Sequence, residues 1–102
     1  MIHVLATIQL QTGQREAFLD AFRQVMPLVH QEQGCIEYGP GIDADSTISV
    51  QTRVGDNSVV IIEKWDSLEA LAAHTTAPHM LDYRQKVKDL VISTTINILQ
   101  PA

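Results

Sequence analysis

The 102-residue chain has room for one domain and one core, and a domain this small buries only about two-thirds of its unfolded surface, so pairing with a second copy would help it. Apolar residues make up 45% of the chain and charged residues 19%, which is a globular balance, and the net charge of −5 argues against nucleic acid or an anionic membrane as partner. A lone Cys35 excludes a disulfide framework, residues 1–13 lack a basic leader region, and no apolar run approaches the roughly 20 residues of a membrane span, so the expectation is a cytoplasmic chain with no membrane segment.

In chain order, residues 2–10 alternate. Ile2, Val4, Ala6, Ile8 and Leu10 point one way and His3, Leu5, Thr7 and Gln9 the other, which predicts a strand with one face on a core. Thr12-Gly13 breaks that pattern, and Gly13 with Glu16 opens a helix. Phe18, Ala21, Phe22, Val25, Leu28 and Val29 form its apolar stripe; Pro27 should kink or shorten it, and Gly34 should end it as the residue just past the cap. Cys35 to Tyr38 begins a second strand, after which Gly39-Pro40-Gly41 should bend or bulge the chain. Ile48, Val50 and Thr52 alternate as a strand extension, and Gly55-Asp56-Asn57 is a turn.

Val59 to Ile62 is a buried β run that ends in Glu63-Lys64-Trp65. Asp66 reads as an N-cap with Glu69 three residues on, and Leu68, Leu71 and Ala72 as the inner face of a short helix. Thr75-Thr76-Ala77-Pro78 breaks and restarts that helix, with Met80, Tyr83, Val87, Leu90 and Val91 carrying the stripe onward. Residues 93–99 alternate and close the domain as a last strand.

The order β-α-β-β-α-β is the ferredoxin-like α+β arrangement, an antiparallel sheet with helices on one face only. The uncovered face keeps Leu5, Tyr38 or Ile36, and part of the 59–62 run, an apolar surface too large to leave in water. Two such sheets stacked about a two-fold axis would cover it, so residues 1–102 are expected to form a single domain acting as a homodimer, with Leu99 to Ala102 reaching over the partner.

The segments Gly34-Cys35-Ile36-Glu37-Tyr38 and Glu63-Lys64-Trp65-Asp66-Ser67-Leu68-Glu69-Ala70-Leu71, with His74 and Pro78-His79-Met80 after them, resemble the antibiotic biosynthesis monooxygenase family, and within it the small quinol-monooxygenase-like proteins. The resemblance runs the length of the chain. It implies a dimeric α/β barrel. It also implies oxygenation of a phenolic or quinol substrate without metal, flavin or haem, although some relatives isomerise small phosphorylated signals and others degrade haem. The haem-degrading branch fits badly, because those relatives carry an asparagine on the first strand and this chain has none there.

His74 stands one turn beyond Leu71, where an imidazole can reach under the helix as a general base or simply cap the helix end; the resemblance places the motif histidine here. His79 falls in the first turn of the restarted helix, where a neutral ring is favoured, and could bond His74 or a substrate oxygen. Tyr38 could place a phenol in the cavity, completing a catalytic set of His74, Tyr38 and His79. The substrate-binding set is Trp65, Glu63 and Tyr83: an indole at the cavity rim for stacking, a carboxylate that orients a histidine or meets the surface, and a phenol on the helix stripe. Each also has a structural reading, as core tryptophan, surface charge or half-buried tyrosine.

His74 and His79 lack the helical spacing and third ligand of a metal site, and no phosphate loop, dinucleotide fingerprint or zinc pattern is present, so no cofactor and no metal is expected. The leading reading is a cofactor-independent monooxygenase whose partners are a small aromatic substrate and molecular oxygen. The alternatives are an isomerase of a small phosphorylated hydroxyketone, which needs one of Arg15, Arg23, Arg53 or Arg84 pointing inward, and a non-enzymatic aromatic-ligand-binding dimer.

Overall fold

A computed structural model describes residues 1–102. Its elements are β1 (Ile2–Leu10), α1 (Arg15–His30), β2 (Cys35–Gly41), β3 (Ser58–Trp65), α2 (Leu68–Thr75), α3 (Pro78–Val87) and β4 (Val91–Leu99). The strands pair antiparallel in the order β2-β3-β1-β4, the ferredoxin-like topology. The alternation of β1 is realised: Ile2, Val4, Ala6, Ile8 and Leu10 are buried under the helices while Leu5 and Gln9 face out.

On α1, Phe18, Leu19, Phe22, Val25 and Val29 are buried, but Leu28 is exposed. Pro27 neither ends nor shortens the helix, which continues to His30 and is capped at Gln31. Gly34 is therefore not its C′ residue but the apex of the following turn, with φ +84°. A Cβ added at Gly34 would lie 2.5 Å from Asp66 Oδ1 and 2.6 Å from Ala70 Cβ, and the Asp66 N–H donates to the Gly34 carbonyl at 2.9 Å. Positive φ and this close approach both demand glycine. Gly34→Ala should cost about 2–4 kcal/mol, read as a fall in the urea midpoint at unchanged slope.

β2 runs straight through Gly39-Pro40-Gly41 rather than bending there; as an edge strand it tolerates a proline, and its register shift falls earlier, between Cys35 and Glu37. Ile48, Val50 and Thr52 belong to no strand. They lie in an irregular loop fastened by Asp43, whose carboxylate accepts the N–H groups of Val54 and Gly55, each at 2.9 Å. Those bonds, Gly55 foremost, hold the Asp43 carboxyl below its usual range.

The α2 cap is Ser67, not Asp66: its hydroxyl accepts the Ala70 N–H at 3.1 Å. Leu71 and His74 form the buried face of that helix, whereas Leu68 and Ala72 are exposed. Pro78 opens α3 at its first turn, and Met80, Tyr83 and Val87 are buried.

The helices cover β2, β3 and β1 but leave the β4 edge bare: Ile96 and Ile98, which pair with the buried Ala6 and Val4, are 59% and 54% exposed. On the other face of the sheet Leu5 and Ile62 sit opposite one another and both are exposed; Tyr38, expected as one candidate for that face, is instead buried on the helix side.

Candidate active site

The gap between the helices and β4 is a cavity of about 380 Å³, within the range of small-molecule sites. Twelve of its seventeen lining residues are hydrophobic, Tyr38 and Tyr83 among them. Its floor is Val4, Ala6 and Ile8 of β1 with Ile96 and Ile98 of β4, and its polar groups come from Tyr38, Glu63, His74, Tyr83 and Arg84, with Thr75 and Thr94 beside them.

His74 ends α2 and is 4% exposed. Its Nδ1–H donates to Glu32 Oε2 at 2.9 Å. His79 Nε2–H donates to the same oxygen at 2.8 Å. A carboxylate bonded to one ring nitrogen fixes the tautomer and leaves the other nitrogen as the acceptor. His74 Nε2 has no protein partner and is not sealed in the interior. The imidazole is set by its neighbours, lying 4.7 Å from the Trp65 ring and edge-on to Tyr38 at 5.3 Å between centroids.

Tyr38 and Tyr83 belong to one aromatic cluster. Phe22 stacks on Tyr38 at 5.2 Å and meets Tyr83 edge-on at 6.0 Å. Burial pushes both phenols well above their usual range, so both stay protonated donors.

Glu63 faces the cavity wall, and its Oε1 accepts the Trp65 indole N–H at 2.9 Å. Burial raises the Glu63 carboxyl, while the Trp65 N–H and the nearby His74 pull it back. A raised carboxyl favours the folded state most in acid and loses that advantage as pH rises through its folded pKa. Glu63→Gln keeps an acceptor for the indole and removes the ionisation. Wild type should therefore lose stability relative to Glu63→Gln as pH rises from the carboxyl range toward neutrality, measured by paired urea titrations.

Three expectations change. Trp65 is not a stacking surface at the rim: it is 0% exposed, packed behind His74 and tied to Glu63. His79 is absent from the main cavity wall and reaches a small surface depression between α1 and α3, with its ring nitrogen on Glu32. Glu63 does not orient a histidine by hydrogen bond; Glu32 does, and no reading of the sequence singled it out. Tyr38, Glu63, His74 and Tyr83 do share the cavity. No group of three His, Cys, Asp or Glu side chains converges to hold a metal ion, and no helix is long and apolar enough to cross a membrane.

Residues 1–86 match the family described as antibiotic biosynthesis monooxygenase. The chain belongs to that family. It is 42% identical over 103 positions, covering 99% of this chain and 98% of the relative, to the Escherichia coli protein named "Probable quinol monooxygenase YgiN", and equally to the Shigella flexneri protein of that name. The fold is shared with solved structures at lower identity. PA3566 from Pseudomonas aeruginosa superposes with a TM-score of 0.80 at 23% identity, covering 99% of this chain and 93% of that one. Rv0793 from Mycobacterium tuberculosis gives 0.80 at 24%, covering 99% and 94%. As a family member the chain is a monooxygenase-type protein with a small-molecule site, as the segments around Tyr38, Trp65 and His74 implied.

Proposed function

We propose that the protein is a cofactor-independent monooxygenase that converts a quinol or polyphenol to a hydroxyquinone. The observation that carries this reading is His74: a buried imidazole oriented through Nδ1 by Glu32, with Nε2 left without a protein partner, on the wall of an apolar cavity, in a chain 42% identical to a protein named "Probable quinol monooxygenase".

His74 Nε2 takes the phenolic proton, and the quinolate is then electron-rich enough to reduce oxygen directly. One electron passes to dioxygen, and the semiquinone and superoxide join at a ring carbon. The peroxide adduct loses water and leaves a carbonyl. One quinol and one dioxygen thus give one hydroxyquinone and one water, the quinol supplying all four electrons. Glu32 stabilises the imidazolium, and His79 holds Glu32 in place. Tyr38 and Tyr83 supply donors for the developing oxygen anions, and the Val and Ile walls exclude water.

Oxygen uptake with a panel of hydroquinones in metal-free buffer tests this reading. Wild type should consume one oxygen per quinol and His74→Ala should not; no uptake above autoxidation with any hydroquinone would contradict it.

Leu5 and Ile62 on the helix-free face support a homodimer with sheets face to face, and sedimentation should show a dimer at micromolar concentration. A second reading, an isomerase of a small phosphorylated hydroxyketone, is favoured by Arg84, the one arginine on the cavity wall; the apolar lining weighs against so polar a substrate. Substrate proton exchange without oxygen separates the two.

A further inference from the structure

Among the residues lining the cavity, Arg84 is the only one with a fixed positive charge. It stands exposed at the mouth, where one guanidinium nitrogen donates to the Thr75 carbonyl at 2.7 Å. That bond uses one of five N–H donors and holds the planar group beside the opening. No carboxylate lies within ion-pair distance of it. The other arginines are engaged away from the cavity: Arg23 with Glu16 and Asp20, Arg15 with the Gly55 carbonyl, and Arg53 with the carbonyls of Ala44 and Ser46.

The acidic chain as a whole repels anions, so a cation left unpaired at an apolar opening is a local exception. Its field reaches inward, since it opposes the burial that raises the Tyr38 and Tyr83 phenols. The oxygenation proposed above takes the ring and its phenolic proton but makes no use of this charge.

We infer that Arg84 is an anion subsite, and that the preferred substrate is an aromatic quinol bearing an acidic substituent such as a carboxylate, with its ring against the β1 floor and its acid at the mouth. The quinol part rests on the proposed function; the anion subsite does not. A guanidinium presents paired N–H groups that match a carboxylate edge, and such charge-assisted bonds are worth roughly tenfold to a hundredfold in affinity.

The test is anaerobic calorimetric titration with dihydroxynaphthoate and with the carboxyl-free dihydroxynaphthalene, for wild type, Arg84→Gln and Arg84→Lys. Wild type should bind the carboxylate roughly tenfold to a hundredfold tighter than the neutral compound. Arg84→Gln should bring that ratio close to one, and Arg84→Lys should keep part of it, since a point charge attracts the anion without matching its edge. Equal affinities in wild type, no binding of either compound, or a preference that survives Arg84→Gln would each overturn the subsite. A second arm admits oxygen. Carboxylate binding through Arg84 with no oxygen uptake leaves the subsite standing and removes the oxygenase reading; uptake with no carboxylate preference does the reverse.

Discussion

Replacing His74 by alanine should lower quinol turnover by about a hundredfold or more, the usual scale for a lost general base. The side chain is buried, its Nδ1 is spent on Glu32, and His74 is the one histidine on the wall of the apolar cavity. The competing histidines are placed elsewhere. His30 donates to the Tyr38 carbonyl at 2.7 Å, His79 is committed to Glu32, and His3 lies on the helix-free face of β1. Because alanine also leaves a void and an unpartnered Glu32, His74→Gln is the cleaner companion: its amide can still donate to Glu32 but cannot take the proton. Both variants should lose turnover while the glutamine form melts close to wild type. Near-full activity in either variant would make His74 structural.

The largest stability effect is expected at Trp65. Trp65→Ala should cost about 3–5 kcal/mol, the range for deleting a fully buried large aromatic side chain. The indole has no exposed surface, joins the end of β3 to α2 through His74, and is the donor to Glu63 Oε1. Removing it opens a void and strands a buried carboxyl at once. Trp65→Phe weights the two effects differently: most of the apolar volume remains, the N–H goes with part of the bicycle, and the cost should drop to about 1–3 kcal/mol. Without that N–H the Glu63 carboxyl rises further, so the phenylalanine variant should suffer most at the alkaline end of a urea series.

Much of this architecture is legible in the chain. The two-residue alternation of β1, the helical stripe of α1 and the break at Pro78 each follow from a local period or a local steric rule, and together they fix the topology. Where two adjacent residues could serve equally, local rules fail by one position. Asp66 and Ser67 both cap helices well, but Asp66 is drawn toward the Gly34 turn and the cap falls to Ser67. Ile48, Val50 and Thr52 alternate like a strand, yet the segment pairs with neither sheet edge, and Asp43 ties its end into a loop.

In the site, the residues with aromatic or titratable side chains on core faces were visible. What they face was not. Glu32 lies 42 residues before His74, in an exposed-looking polar turn, and only the packing of that turn against α2 and α3 brings it to both histidines. Trp65 reads the same in sequence whether it lines a rim or packs behind the His74 ring. The bare β4 edge, which opens the cavity, depends on how far the helices reach across the sheet, and no single segment encodes that.

The most direct test of the central claim is the fate of isotopically labelled dioxygen supplied to the metal-stripped, flavin-free protein with a hydroquinone, followed by rapid quenching and mass spectrometry of the product. Direct monooxygenation predicts a hydroxyquinone carrying one labelled oxygen atom, formed by wild type and all but lost in His74→Ala. An unlabelled quinone, or a product whose new oxygen comes from solvent, would contradict it.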